Sequence, residues 1–231
     1  MSDTNKESWD LHASRFYQED YLSLSDIDFE SYDYPTDKDL NIIGDVSGLS
    51  VLEIGSGTCN CGIVLARKAG VNITTACSDM IDLSFAESTS FDLVICMNAI
   101  GYARDFGKVC EEVNRVLKPS GRFIFSATHP VMACVGATEL WPEENANPNY
   151  SYVGPMQWKW REEDDFVFTT YRMKVSDYVN LLARNKLYIK RMEELFPISP
   201  LPADCDFDEN EIAVRTRFPS NLVVEAIKMV E

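Results

Sequence analysis

Histidine is nearly missing from this chain, with only His12 and His129 among 231 residues. The cysteines offer one close pair, Cys59 and Cys61, so no convincing zinc set can be drawn and no metal is expected. Long apolar runs are missing too: stretches such as Leu93–Met97 fall far short of the ~20 residues that a bilayer span needs. The opening MSDTNKESWD is polar and has no leader-like apolar centre. Positive charge is scarce, with 21 Lys and Arg against 37 Asp and Glu and a net charge of −16. Such a surface repels phosphate backbones, and the short KWR at 159–161 runs straight into EEDD, so nucleic acid is not the expected partner. Seven scattered cysteines, an odd number, read as small buried thiols of a reducing compartment. A cytoplasmic protein that meets a small molecule, and neither membrane nor nucleic acid, is the expectation; no feature sets the oligomeric state.

What is present is core-forming material. Hydrophobic residues make up 45% of the chain, enough for one domain over 1–231. Residues 8–19, SWDLHASRFYQE, predict a short helix capped by Ser8 with Trp9, Ala13, Phe16 and Tyr17 on one side; a polar loop follows, closing the N-terminal part at about residue 40. Residues 41–130 alternate strand and helix. VLEI is strand-like, CGIVLARKAG is a helix stopped by Gly70, and NITTAC is β-branched. FDLVICMNA is a nearly continuous apolar run, as expected of a central parallel strand. Apolar residues at 106, 109, 110, 113, 116 and 117 make a helical stripe, which KPSG ends before the strand RFIFSA. This alternation predicts a mostly parallel α/β sheet with helices on both faces. Residues 131–170 lose any clear period and read as an inserted lid. Within 171–231, SDYVNLLARN reads as a helix capped by Ser176 and ended by a left-handed Asn185, and LYIKRMEEL and NLVVEAIKM read as a final antiparallel pair.

The sharpest motif is VLEIGSGTCN. Gly55 and Gly57 allow a tight turn and a close ligand approach, and a helix N-terminus with unpaired N–H groups follows. Alone it is weak, because many α/β proteins need such a turn. Together with SDMIDLSF at 78–85, FDLV and VLKPSGRF, it resembles the class I S-adenosylmethionine-dependent methyltransferases of the small-molecule type (methyltransferase type 11/25-like) over about residues 40–130. That resemblance implies a Rossmann-like fold and S-adenosylmethionine as cofactor, with S-adenosylhomocysteine as product. It also implies roles by position. Gly55, Ser56 and Gly57 would lie against the methionine part and ribose, with Glu53 beneath the loop. Asp79 would take the adenine amino group beside the Met80 backbone. Met97 and Asn98 would border the methionine arm and sulfonium, and Tyr17 and Tyr34 would close over the cofactor.

Two departures stand out. Cys59 occupies the third glycine's place, which we expect to face helix packing. And KAG runs directly into VNITTACSD, so about thirty residues, one strand–helix unit, look to be missing after the first helix. Either the unit is truly absent or a segment has been lost. NITTAC reads as the family's third strand; in another reading it is the second, with Asp79 as the ribose acid 22 residues after Gly57.

Methyl transfer needs alignment and exclusion of water more than a base. His129, just beyond RFIFSA, is the candidate general base, against a capping role before Pro130. Tyr102 and Asn98 are candidates to position a substrate, and the tryptophans and tyrosines of the lid either roof an apolar pocket or fill a small core of their own. The leading function is a methyltransferase acting on a small molecule by in-line displacement. The alternatives are a non-catalytic or weakly binding relative, which the missing unit favours, and a nicotinamide-dependent oxidoreductase, which Cys59 disfavours.

Overall fold

The computed structural model describes residues 3–16, 26–30, 33–140, 147–159, 165–203 and 205–230. Helices α1 (Asp3–Phe16) and α2 (Asp37–Leu40) precede the alternating core. That core runs β1 (Val51–Glu53), α3 (Asn60–Ala69), β2 (Phe91–Cys96), α4 (Phe106–Val116) and β3 (Leu117–Thr128). Then come α5 (Pro130–Val135), β4 (Gly154–Trp158), β5 (Phe168–Arg172), α6 (Val175–Arg184), β6 (Leu187–Leu195), α7 (Glu209–Arg215) and β7 (Asn221–Lys228).

The main sheet has the order β1-β2-β3-β7-β6, and β4 and β5 form a separate hairpin. β1, β2 and β3 pair in parallel, whereas β7 is antiparallel to both β3 and β6, so four of the five strands point the same way. The apolar runs explain the two covered faces. Val94, Cys96, Phe123, Phe125, Leu222 and Val224 point to one side, where Val109 and Val113 of α4 and Leu182 of α6 cover them. The alternate residues Leu93, Ile95, Ile124 and Val223 point to the other, against Val64 and Leu65 of α3 and Phe29, Tyr34, Ile42 and Ile43 of the N-terminal segment. Each such side chain contributes roughly 1.5–3 kcal/mol by leaving water.

Several boundaries differ from the sequence reading. α1 begins at Asp3, so Ser8 lies inside it; its hydroxyl donates to Val167 O at 2.8 Å rather than capping. Asn5 fixes the same helix to β5, donating to Thr169 O (2.8 Å) and accepting from Thr169 N (2.7 Å). α6 is started by Lys174, whose N–H bonds the Asp177 carboxylate at 2.9 Å, and the left-handed residue after it is Lys186, not Asn185. KPSG lies within β3, with Ser120 at φ 63°. The span read as a lid holds α5 and the β4–β5 hairpin; Trp158 stacks on Phe168, which also meets Trp9 and Tyr102, so these rings share a small core with α1, whereas Tyr150 is exposed.

The largest correction concerns NITTAC. Residues 71–78 form no strand and are exposed throughout, and β1 is the sheet's edge among the described residues. Neither strand assignment survives. β-branched residues favour a strand only where partners and a covering face exist, and here Val71 (62% exposed) and Ile73 (46%) have no cover.

Candidate functional site

The site grows from the end of β1. Ile54 N donates to Ile95 O at 2.9 Å, holding the chain beside β2 up to the turn. Gly55 (φ 66°) and Gly57 (φ 50°) then take left-handed conformations. At Gly55 a side chain has no room: a Cβ would lie 2.5 Å from that of Ala99 and 2.9 Å from Met80 Sδ. At Gly57 a Cβ would meet nothing within 4 Å, so the turn is closed beneath and open above.

Cys59 is the third left-handed residue, at φ 59°, and forms the N-cap of α3. The position selects for glycine through its backbone, not only through helix packing as the sequence suggested. Its N–H bonds Ser56 O at 2.7 Å and its thiol approaches Ser56 Oγ at 3.4 Å, which braces the turn.

Glu53 ends β1 and lies beneath the loop. Its Oε2 accepts from Gly62 N at 2.8 Å, and a Cβ on Gly62 would lie 2.8 Å from the same oxygen. Gly62 is therefore a residue that sequence reasoning missed: nine positions after the acid, in an ordinary helix start, it must be small to receive the carboxylate. Burial pushes the Glu53 pKa up to about 7, against the opposing pull of the Gly62 N–H.

Asp79 and Met80 follow the exposed segment. Asp79 is half-buried and its Oδ1 accepts from Ile81 N at 3.2 Å; Met80 is buried under Gly55. Met97 and Asn98 sit at the carboxyl end of β2, directly before the Ala99 that packs on Gly55. Asn98 has φ 51°, donates its N–H to Ser126 Oγ at 2.9 Å, and carries an exposed side chain. The turn, Met80, Met97 and Asn98 are thus gathered at one end of the parallel strands, where ligand crevices of such sheets open.

Two expected residues are placed otherwise. His129 is 3% exposed and caps α5: its Nδ1 accepts from Val131 N at 3.1 Å, so the proton sits on Nε2, 3.0 Å from Glu194 Oε1. Burial lowers its pKa and Glu194 opposes the shift. Both nitrogens are thus engaged, one in the cap and one with Glu194. Tyr34, 1% exposed, belongs to the core; its hydroxyl meets Ser220 Oγ at 2.6 Å and accepts from Arg215 at 3.2 Å, which leaves it no freedom to close over a ligand. Tyr17 lies outside the described residues.

Comparison with known proteins bears on the class. Residues 52–125, which span β1, the glycine turn, β2, α4 and most of β3, match a family model described as a methyltransferase domain. This part of the chain is similar to methyltransferase domains, and the sheet around it has their Rossmann-like fold. The fold agrees over most of the length. An S-adenosylmethionine-dependent methyltransferase from Mesorhizobium loti superposes with a TM-score of 0.60 at 21% identity, covering 81% of this chain and 94% of that one. A Listeria monocytogenes protein provisionally assigned to the same class gives 0.59 at 21% identity, covering 83% and 96%. A geranyl diphosphate methyltransferase bound to geranyl diphosphate and sinefungin gives 0.57 at 14% identity, covering 82% and 76%. No curated protein matches the chain in sequence. The methyltransferase match at the glycine turn speaks against the nicotinamide reading. Among the described residues, no helix is long and apolar enough to cross a membrane.

Proposed function

We propose that the chain transfers the methyl group of S-adenosylmethionine to a small-molecule acceptor by in-line displacement at the carboxyl end of β1, β2 and β3. The observation that carries this reading is the glycine turn: closed against Ala99 and Met80 below, open above Gly57, and braced by the Glu53–Gly62 bond. Gly55, Ser56 and Gly57 would hold the cofactor's ribose and methionine part by their backbone. Met97 and Asn98 would border its sulfonium end, and Asp79 with the Met80 backbone would take its adenine. The bound sulfonium supplies the activated methyl group, so this chain's residues need only align the two reactants and keep water out. A net charge of −16 favours the approach of a cationic cofactor.

His129 has no part in this scheme, because its two nitrogens are spent on Val131 and Glu194. Its replacement by Gln, which keeps an acceptor for the Val131 N–H, is expected to leave turnover unchanged. Calorimetric titration with S-adenosylhomocysteine tests the whole reading. One saturable site per chain is the expected result. Absence of heat and of any thermal shift at millimolar ligand would end it.

A further inference from the structure

Two buried polar residues outside the glycine turn converge on Asn98. Ser126 (0% exposed, β3) and Asn221 (1%, the first residue of β7) lie on strands that join the sheet far apart in sequence. Asn221 Nδ2 donates to Phe29 O at 2.7 Å and to Asn98 Oδ1 at 2.7 Å. The Phe29 carbonyl can only accept, so this end of Asn221 must be its NH2, and the atom of Asn98 that faces it must be the oxygen. Ser126 Oγ accepts from the Asn98 N–H, a pure donor, so its own hydrogen goes to Asn98 Oδ1 at 2.9 Å. Three hydrogen bonds therefore fix one amide in one orientation. They also hold Asn98 in a left-handed backbone conformation that asparagine tolerates better than most residues.

The consequence is chemical. With Oδ1 taken twice, Asn98 can offer a ligand only its Nδ2 hydrogens. Among the described residues they have no acceptor, and the side chain is exposed at the carboxyl end of β2. An NH2 group held rigidly there pairs with a carboxylate oxygen and not with an ammonium. The methionine arm of the cofactor carries one of each.

We infer that Ser126 and Asn221 are positioning residues that aim the Asn98 amide at the cofactor's carboxylate. The inference rests on the proposed function. It goes further in giving this chain a fixed donor for the methionine end, where the strongly negative surface would otherwise oppose an anionic group. Holding the donor in advance avoids the entropy of ordering it on binding.

The test compares S-adenosylhomocysteine with 5′-methylthioadenosine, which has the same adenosine and thioether but no carboxylate. Asn98→Gly removes the amide and keeps the left-handed backbone free of strain, so the variant is expected to fold. Its affinity for S-adenosylhomocysteine should fall about tenfold to a hundredfold, the worth of a hydrogen bond to a charged group, while methylthioadenosine binds as before. Ser126→Ala and Asn221→Ala, which free the amide without touching the ligand, should show the same selective loss with a smaller size. Equal losses for both ligands, or none for either, would overturn the inference and leave the proposed function standing. Failure of the unaltered protein to bind S-adenosylhomocysteine would remove both.

Discussion

The carboxyl end of β2 and the outer side of β1 lie on either flank of the same glycine turn, yet they are built differently. On the β2 side, Asn98, Ser126, Asn221 and the Phe29 carbonyl are joined by hydrogen bonds of 2.7–2.9 Å, over strands whose Val94, Ile95 and Cys96 are 0% exposed. On the β1 side, residues 71–78 run exposed, and no described strand pairs beyond β1. One flank is organised before any ligand arrives. The other offers only Asp79 and Met80. Affinity for the cofactor is thus expected to reside mainly at its methionine end, and adenosine fragments are expected to bind weakly.

Gly55→Ala strikes the organised flank hardest. Its Cβ would sit 2.5 Å from the Ala99 Cβ on a backbone at φ 66°, so overpacking and left-handed strain add. A loss of about 3 kcal/mol in urea unfolding is expected, with binding abolished. A loss below about 1 kcal/mol would mean that the turn is not anchored on β2 as described.

Glu53 tests the joint between the flanks through pH. Its folded pKa of about 7 exceeds the ordinary 4.5, so the folded protein holds this proton more tightly than the unfolded chain. The associated stability is fully present below pH 4.5 and is lost as pH rises through about 7. The shift corresponds to at most roughly 3 kcal/mol. Glu53→Gln, which keeps an acceptor for the Gly62 N–H, removes this slope. The variant should therefore gain in melting temperature over the parent between pH 5 and pH 8. Parallel pH profiles would show that the carboxylate is solvated.

Much of the organised flank was legible in the residues. VLEI and FDLVIC announce buried strands by their apolar continuity, and the stripe from Phe106 to Val116 appears as α4 with an Asp105 cap on Lys108 N at 3.0 Å. The glycine turn is legible because acid, turn and helix start lie within a few residues. Ser126 and Asn221 were not, because their meaning lies in strand order: β7 enters the sheet beside β3, and nothing local in FSA or SNL reveals that. Gly62 was missed since its reason is a carboxylate nine residues earlier. NITTAC failed for the opposite cause, a local propensity without a tertiary partner. At position 59 the sequence did show a departure, and the backbone explains what it costs. Cys59→Gly should stabilise the protein by about 1 kcal/mol in thermal unfolding, since glycine takes φ 59° without the Cβ penalty. A destabilised variant would show that the thiol's contact with Ser56 outweighs the strain.

The smallest effect is expected on the open flank, and it discriminates most sharply. Ile73 is 46% exposed in a segment with no strand partner, whereas Ile95, on the neighbouring strand β2, is fully buried. Ile73→Ser should therefore change stability by no more than about 0.5 kcal/mol, the ordinary range for a surface site. Suppose instead that residues 72–77 spend most of their time as a further strand on the open edge of β1. One face of that strand would then lie against the sheet's covering layer, and removing Ile73 would cost about 2 kcal/mol or more. Amide exchange of Thr74 and Thr75 separates the two cases independently of the side chain, because only a ladder hydrogen bond slows it. Fast exchange with a neutral substitution upholds the contrast between the flanks. Slow exchange with a costly one would return to the sheet the strand that the sequence suggested.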